Sequence, residues 1–367
     1  MTSQCLIDAG ALLSLTQECF ERLGVPADDA HVVAEVLIDA DLHGIESHGF
    51  RRVPVYMERV RAGLAGGTER LSVVSEFGGL CRIDAGNALG PAAAVKALDH
   101  AIALARTYGV SLVAVGRSTH FGNAGYYARR AARASMVSIV MTNSVKRMAP
   151  HGASEPFLGT NPVAIGVPLG EHDPFVLDMA TSVEAGGKII RAKELGEEIP
   201  LGIAMDREGH ATTDPAKALE GSVLPVGGFK GSGLALAVSM LAVLLGGADC
   251  DCDMASLHND FGRPQNVGHV FIVVDASHIG ARGRVRRLDD MLDRLLALTP
   301  RDISSGIRYP GQAKASLARC RWSEGLPMEL AELSRAAGTC RELELPDLAD
   351  KLLGLAGPSA AGAALLE

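Results

Sequence analysis

Apolar residues recur along this chain with two different periods. In the first 65 positions they fall at helical spacing. Val32, Val33, Val36 and Leu37 follow Pro26, Asp28 and Asp29, which are helix-start residues. Val53, Met57 and Val60 share one face of a second expected helix across 50–63. From there the pattern changes to short continuous apolar runs at 80–83, 110–115, 137–142, 163–167, 175–178 and 270–275. Such runs mark strands buried on both faces. Helical stretches at 92–107, 122–134 and 233–245 lie between them, and helical periodicity returns after Arg287. The pattern predicts a mixed α/β core with helical ends. The expected division is a helical N-terminal part (1–75), a core (76–287) and a helical C-terminal part (288–367) that packs with the first.

Composition narrows the function. A chain of 367 residues with 47 % apolar and 21 % charged residues is long and apolar enough for a folded core. Thirty-five basic against 43 acidic residues give a net charge of −8. That sign argues against a nucleic-acid partner, whose phosphates call for excess positive charge. The first basic residue is Arg22, so the N-terminus does not read as a secretory or transit signal. The longest apolar run, 234–245, is too short for a bilayer, so no membrane partner is expected. Seven thinly spread cysteines suit reduced thiols in a cytoplasm. Cys250 and Cys252 have no second pair to complete a zinc site, and no metal is expected.

No strand end carries the G-x-G-x-x-G turn of a Rossmann dinucleotide site, and Gly187-Lys188 is not a Walker loop. Five other segments carry candidate chemistry. Ser47 and His48 lie between Gly44 and Gly49, with Arg52 four residues beyond His48, one turn away on an expected helix. An imidazole moves protons near neutral pH, and a guanidinium grips a carboxylate. The same residues would also serve as a Ser-capped helix start. Ser118-Thr119-His120-Phe121-Gly122-Asn123-Ala124 joins an expected strand to a helix, where free N–H groups suit a phosphate or amide. Thr142-Asn143-Ser144, Pro150-His151-Gly152 and Gly159-Thr160-Asn161-Pro162 put polar turns at strand ends. Asp178 ends a strand, before Thr181, Ser182 and Gly186-Gly187-Lys188, and can orient an imidazole. Gly227-Gly228-Phe229-Lys230-Gly231 enters the apolar helix and offers a pyrophosphate cradle.

Taken in order, these segments resemble the malate/L-lactate dehydrogenase family of the non-Rossmann type. The matching stretches are Ser47-His48-Gly49 with Arg52, Thr119-His120-Phe121-Gly122, Gly159-Thr160-Asn161-Pro162, Asp178-Met179-Ala180-Thr181-Ser182, Thr213-Asp214-Pro215, Gly227-Gly228-Phe229-Lys230-Gly231, Asn266-Val267-Gly268-His269 and Pro310-Gly311. They span about 40–312. The resemblance implies an α/β mixed-sheet nucleotide-binding core peculiar to the family, a homodimer, and NAD(H) or NADP(H). It implies His48 as acid/base with Ser47 beside it, and Arg52 on the substrate carboxylate. His120 competes for the proton role. It also implies Thr160 on the substrate, and His120, Phe121, Gly122, Asn123, Ala124, Asp178, Met179, Ala180, Lys188, Lys230, Gly231, Pro310, Gly311 and Gln312 around the cofactor. Gln312 stands where family members often have Glu, and His151-Gly152-Ala153 replaces a more usual glycine pair.

The function expected from that resemblance is hydride transfer between nicotinamide and C2 of a small 2-hydroxy or 2-oxo acid of malate, lactate, sulfolactate or ureidoglycolate type. Oxidation would gain as rising pH frees His48. Reduction of a cyclic imine (piperideine or pyrroline carboxylate) is the alternative. Lys188, expected near the site, would disfavour that cationic substrate. A nucleotide-binding sensor would not need His48 with Arg52. A metal-dependent lyase would need two histidines at ligand spacing, and none are so spaced.

Overall fold

The computed structural model describes residues 4–280, 282–302 and 306–356. The extreme ends of the expected terminal parts, 1–3 and 357–367, lie outside the described residues. A seven-stranded sheet occupies the middle of the molecule. Its order is Ser72–Phe77, Leu80–Asp84, Val110–Ser118, Val267–Val274, Val137–Thr142, Val163–Val167, Phe175–Met179. Leu80–Asp84 runs parallel to Val110–Ser118, and the other neighbours pair antiparallel. Val267–Val274 comes late in the chain yet lies between two early strands, and it is buried along most of its length. Its Val and Phe side chains suit a strand covered on both faces.

Helices Gly90–Tyr108 and Ala124–Arg133 cover one face. The first turns Ala93, Ala94, Ala97, Ala101 and Ala105 inward, and these small side chains let it lie close to the sheet. The other face receives helix Phe229–Leu241, whose Val238 packs on Met141 and Val270. This helix continues through a π turn, Ala242–Gly246, into an 18-residue apolar rod, Phe229–Gly246. By length and composition the rod could cross a membrane, which the shorter run read from the sequence did not suggest. Gly231, Gly233 and Ser239 are absorbed into it rather than ending it. One third of the rod is buried in the fold. Leu236, Met240 and Leu244 are exposed.

The chain ends meet. Gln4–Ile7 pairs antiparallel with Leu326–Glu329. Leu12, Phe20, Val33, Leu37 and Met57 share one apolar core with Leu333, Ala337, Leu348 and Leu352. Five of the six expected strands keep their starting residues, and the sixth begins three residues earlier, at Val267. Strand Ser72–Phe77 was not foreseen, because every residue in it is exposed and no alternation marks it.

One buried carboxylate ties the strand ends above the sheet. Asp251 accepts from Asn143 Nδ2 (3.1 Å), Ser239 Oγ (2.8 Å), Gly159 N (2.8 Å) and Asn161 Nδ2 (2.7 Å). It is 2 % exposed. Asp251→Ala would leave the Gly159 N–H and the Ser239 hydroxyl without an acceptor and take one of two acceptors from each of Asn143 Nδ2 and Asn161 Nδ2. We expect it to destabilise the protein by at least about 3 kcal/mol in urea unfolding, because each orphaned donor costs on the order of 1–3 kcal/mol. A loss below about 1 kcal/mol would show that water replaces the carboxylate.

Candidate active site

Helix Ala27–Leu42 ends at His43, and the chain then makes two successive 3-10 turns, Glu46–His48 and Phe50–Arg52. Gly49 joins them. A Cβ there would collide with the Asp41 carboxylate. That carboxylate is buried and accepts the Phe50 N–H at 2.7 Å. Burial raises its pKa well above the usual carboxylate range, against the Phe50 N–H. The single helix expected over 50–63 therefore begins only at Val53. His48 and Arg52 do not meet through helical spacing. Arg52 Nε instead donates back to Ser47 O at 2.8 Å.

Around this bend four rings and a guanidinium converge. His48 stacks on His120, with ring centroids 5.4 Å apart and planes at 27°. Ser47 Oγ lies 2.8 Å from His48 Nδ1. When Nδ1 carries the proton it donates to Ser47, and Nε2 keeps a free lone pair. His120 Nδ1 accepts from Gly122 N (3.3 Å) and lies 2.6 Å from Tyr56 Oη. The proton of neutral His120 is thus on Nε2. Arg52 Nη1 donates to His258 Nε2 at 2.6 Å. Arg52 has no carboxylate within ion-pair reach among the described residues.

The electrostatics follow from burial beside a cation. Burial first, then the Arg52 charge, lowers His48 to about 3. The same causes bring His258 to about 4 and hold His120 well below the ordinary histidine value. Burial also lowers Arg52 and raises Tyr56. At neutral pH the site is a set of neutral imidazoles around one guanidinium.

A second group of expected residues adjoins the first. Asn123 caps helix Ala124–Arg133 by accepting the Tyr126 N–H at 3.0 Å. Its Nδ2, and Oε1 of Gln312, are buried with no partner. Gly311, with φ +99, precedes helix Gln312–Glu324, and the Pro310 carbonyl accepts from Val176 N. Asp178, next to the strand's last residue Met179, lines a cleft with Asn123, Gly125, Gly311 and Lys314. The chain runs on through Ala180 to Thr181, whose N–H donates to Thr160 O. A Cβ on Gly231 would strike Thr181 O, so helix Phe229–Leu241 starts against this segment. Beside that start, Gly227, Gly228 and His151 line an open cavity of about 640 Å³, and Lys230, in the helix's first turn, is exposed.

Three expected contacts fail. Asp178 accepts from Gly125 N at 2.9 Å and makes no hydrogen bond to either histidine, because it lies at the start of helix Ala124–Arg133. The Phe121 side chain is buried between His269 and Tyr127, so its ring packs in the core and does not line the cleft. Lys188 is 74 % exposed in its side chain and pairs with Glu184 one turn earlier, so its ammonium is in solvent. It carries no weight against a cationic substrate. Tyr56, His258 and Arg147 escaped the sequence reading. Tyr56 lies in the expected helix with nothing to mark it, His258 lies far along the chain from His48 with no motif around it, and Arg147 falls between two singled-out turns, 142–144 and 150–152.

Comparison with known proteins places the chain. A family model described as malate/L-lactate dehydrogenase matches residues 7–335. The chain is 37 % identical over 321 residues to the (2R)-3-sulfolactate dehydrogenase (NADP(+)) of Chromohalobacter salexigens, covering 87 % of this chain and 92 % of that one. The structure of sulfolactate dehydrogenase from Methanocaldococcus jannaschii superposes with a TM-score of 0.86 at 36 % identity, covering 94 % and 99 % of the two chains. A delta1-piperideine-2-carboxylate reductase from Pseudomonas syringae pv. tomato superposes at 0.82 and 29 % identity, covering 91 % and 99 %.

The bend that carries these residues depends on the missing side chain at 49. Gly49→Ala should cost about 1–3 kcal/mol in urea unfolding, as overpacking against a fixed neighbour does. Gly66→Ala, where an added Cβ meets nothing within 4 Å, should cost less than about 1 kcal/mol. Equal effects at the two positions would mean that Asp41 moves aside freely.

Proposed function

The chain belongs to the malate/L-lactate dehydrogenase family, and from that premise we propose that it is an NAD(P)-dependent oxidoreductase acting at C2 of a small 2-hydroxy or 2-oxo acid. The observation that carries this reading is His48, neutral and half-buried, beside a guanidinium that folds back onto Ser47 O and lacks a carboxylate among the described residues. A half-buried cation without an acid partner is costly, and an anionic substrate offsets that cost.

The cofactor is NAD(H) or NADP(H). The residues present suit such a group. The unpartnered Asn123 Nδ2 donor and Gln312 Oε1 acceptor complement a carboxamide, which has one carbonyl and one NH₂. Asp178, Met179, Ala180, Gly311 and Gln312 would line the nicotinamide end, and Lys230 with Gly231 the phosphates. When bound, the cofactor supplies or accepts the hydride.

The chain's own residues do the rest. Arg52 holds the substrate carboxylate with its remaining donors, Thr160 bounds the substrate side, and His48 Nε2 faces the C2 oxygen. In oxidation His48 takes the hydroxyl proton while Ser47 holds the ring through Nδ1. In reduction His48 must arrive protonated. The substrate carboxylate offsets the Arg52 charge, which after burial is the second cause of the lowered His48 pKa, and so eases protonation of His48 when the oxo acid binds. His120 Nε2–H is the second donor toward the same oxygen. Asp178 acts as a cofactor contact rather than as the partner of an imidazole.

A cyclic imine is the second reading, supported by the likeness to the piperideine carboxylate reductase. Its protonated form would meet the Arg52 charge at close range, which favours the neutral carbonyl of an oxo acid. Further parts of the reading are the three-part division 1–75, 76–287 and 288–367, a family-specific nucleotide core, a cytoplasmic location and a homodimer. The shared apolar core of the chain ends supports the division. The largely antiparallel sheet supports a non-Rossmann core. The exposed Met240 and Leu244 support self-association.

The test is a panel of 2-oxo acids and cyclic imines with NADH and NADPH, followed by loss of nicotinamide absorbance. An open-chain oxo acid should exceed the imine by at least about tenfold in kcat/KM, a difference of about 1.4 kcal/mol. His48→Ala should lower turnover by about 10²–10⁴-fold with folding retained. Near-normal turnover in that variant, with loss in His120→Ala, would move the proton role to His120.

Because His48 is held near 3, its neutral form persists well below neutral pH in the free enzyme. The kcat/KM for oxidation should therefore stay level between about pH 8 and pH 6, rather than rise with pH as an unperturbed histidine would require. An inflection near pH 6.5 would show His48 in contact with bulk water.

A further inference from the structure

Three metal-ligating side chains of different kinds, Glu76, Cys81 and His100, meet at the free edge of the sheet. Strand Ser72–Phe77 is the outermost strand, and its one neighbour is Leu80–Asp84. Glu76 and Cys81 are directly opposed in that pairing, so their side chains leave the same face. Buried and exposed residues alternate along Leu80–Asp84, and Cys81 is on the buried side, 5 % exposed. Helix Gly90–Tyr108 covers that face and brings His100 to it. His100 Nε2 lies 2.5 Å from Glu76 Oε2, and one ligand atom from each of the three residues lies within 4.8 Å of the other two. Positions 76, 81 and 100 follow no ligand spacing in the sequence, so only the hairpin and the helix together assemble them.

The cations nearest in sequence are engaged elsewhere. Lys96, one turn before His100, is held by Asp29 and Thr68. Arg130 pairs with Asp99. Arg82 points away from Cys81 and donates to Gly246 O. The trio itself thus carries the local charge, and that charge is negative.

We propose that Glu76, Cys81 and His100 form a binding site for one divalent transition-metal ion of the zinc type, which ties the edge hairpin 72–84 to helix Gly90–Tyr108. The site shares no residue with the candidate active site and does not depend on the reaction proposed above. A thiolate, an imidazole and a carboxylate are zinc ligands, whereas magnesium and calcium call for oxygen. As the metal–sulfur bond forms, the thiol proton leaves to solvent and no electron is transferred. Thiolate and carboxylate then cancel the two charges of the ion. Tetrahedral ligands of zinc stand about 3.3–3.6 Å apart, so no separation within the trio has to change by more than about 1.5 Å. The Glu76 and His100 side chains, 41 % and 34 % exposed, have room to rotate and leave the fourth position open to water. The strand that gains is exposed at every residue and paired on one side only, so a metal clip adds a hold that burial does not supply.

The test takes the full-length protein with reduced thiols, strips it with a chelator and titrates it with Co²⁺ and then Zn²⁺. One equivalent of Co²⁺ should give thiolate-to-cobalt charge-transfer absorption with the visible bands of four-coordinate cobalt, and Zn²⁺ should abolish both. Cys81→Ser should remove the charge-transfer band. Glu76→Gln and His100→Gln, at part-exposed positions, should each weaken Zn²⁺ binding by at least about tenfold in competition with a chromophoric chelator. Zn²⁺ should raise the Tm of wild type and leave that of Glu76→Gln unchanged at the same concentration. The double variant Cys250→Ser/Cys252→Ser should bind as wild type does. Absence of the band in wild type would overturn the proposal and leave the trio as a Glu76–His100 pair beside a thiol. A band that survives Cys81→Ser, full-strength binding in both Glu76→Gln and His100→Gln, or loss of binding only in Cys250→Ser/Cys252→Ser would overturn it as well.

Discussion

The buried carboxylate of Asp251 is the point on which the site's scaffold rests. It gathers the turn after one strand (Asn143), the turn before another (Gly159 and Asn161) and the apolar helix on the sheet's face (Ser239). None of these segments is close to the others in sequence. Their junction positions Thr160 and carries the chain from Asn143 to Arg147. A carboxylate this buried is tolerated because donors surround it, and the donors are in turn fixed because the charge cannot be left alone. The rigidity of this corner is what allows polar groups nearby to stay unpaired.

That tolerance is spent at the candidate site. Most charged pairs close to it are balanced: Arg51, Arg191 and Arg321 each meet a glutamate. Arg52 meets only imidazoles and a backbone carbonyl. The consequence is electrostatic. Burial, and after it the Arg52 charge, keeps His48, His120 and His258 neutral near pH 7. The stacked pair of histidines fits the same logic, since two adjacent imidazolium rings would repel one another.

Part of this was legible in the chain. His48, Ser47 and Arg52 were readable because six residues of sequence hold all three, and the strand ends were readable because continuous apolar runs stop there. His120 followed from a strand-to-helix junction. Other features were not. Tyr56 touches His120 across 64 positions, and His258 touches Arg52 across 206. Nothing local marks either. Lys188 misled because proximity in sequence to the glycine pair suggested proximity to substrate, whereas a helix turns successive side chains by about 100° and sends this one to Glu184. Phe121 misled in the opposite direction, being in the right segment with its ring in the core.

By itself the sequence determined the two periodicities, hence a strand-rich middle between helical ends, and it determined which short segments carry proton-handling and anion-binding residues. Those are local properties, fixed by the chemistry of residues within one or two turns of each other. Only the tertiary structure decided that the strand 267–274 enters the centre of the sheet, and that the two chain ends share a core. It alone decided which cations would be paired. Pairing depends on which carboxylates folding brings within a few ångströms, and composition counts charges without locating them. The same 35 basic residues could have left no guanidinium free. The fold left Arg52 so, beside His48, His120 and His258.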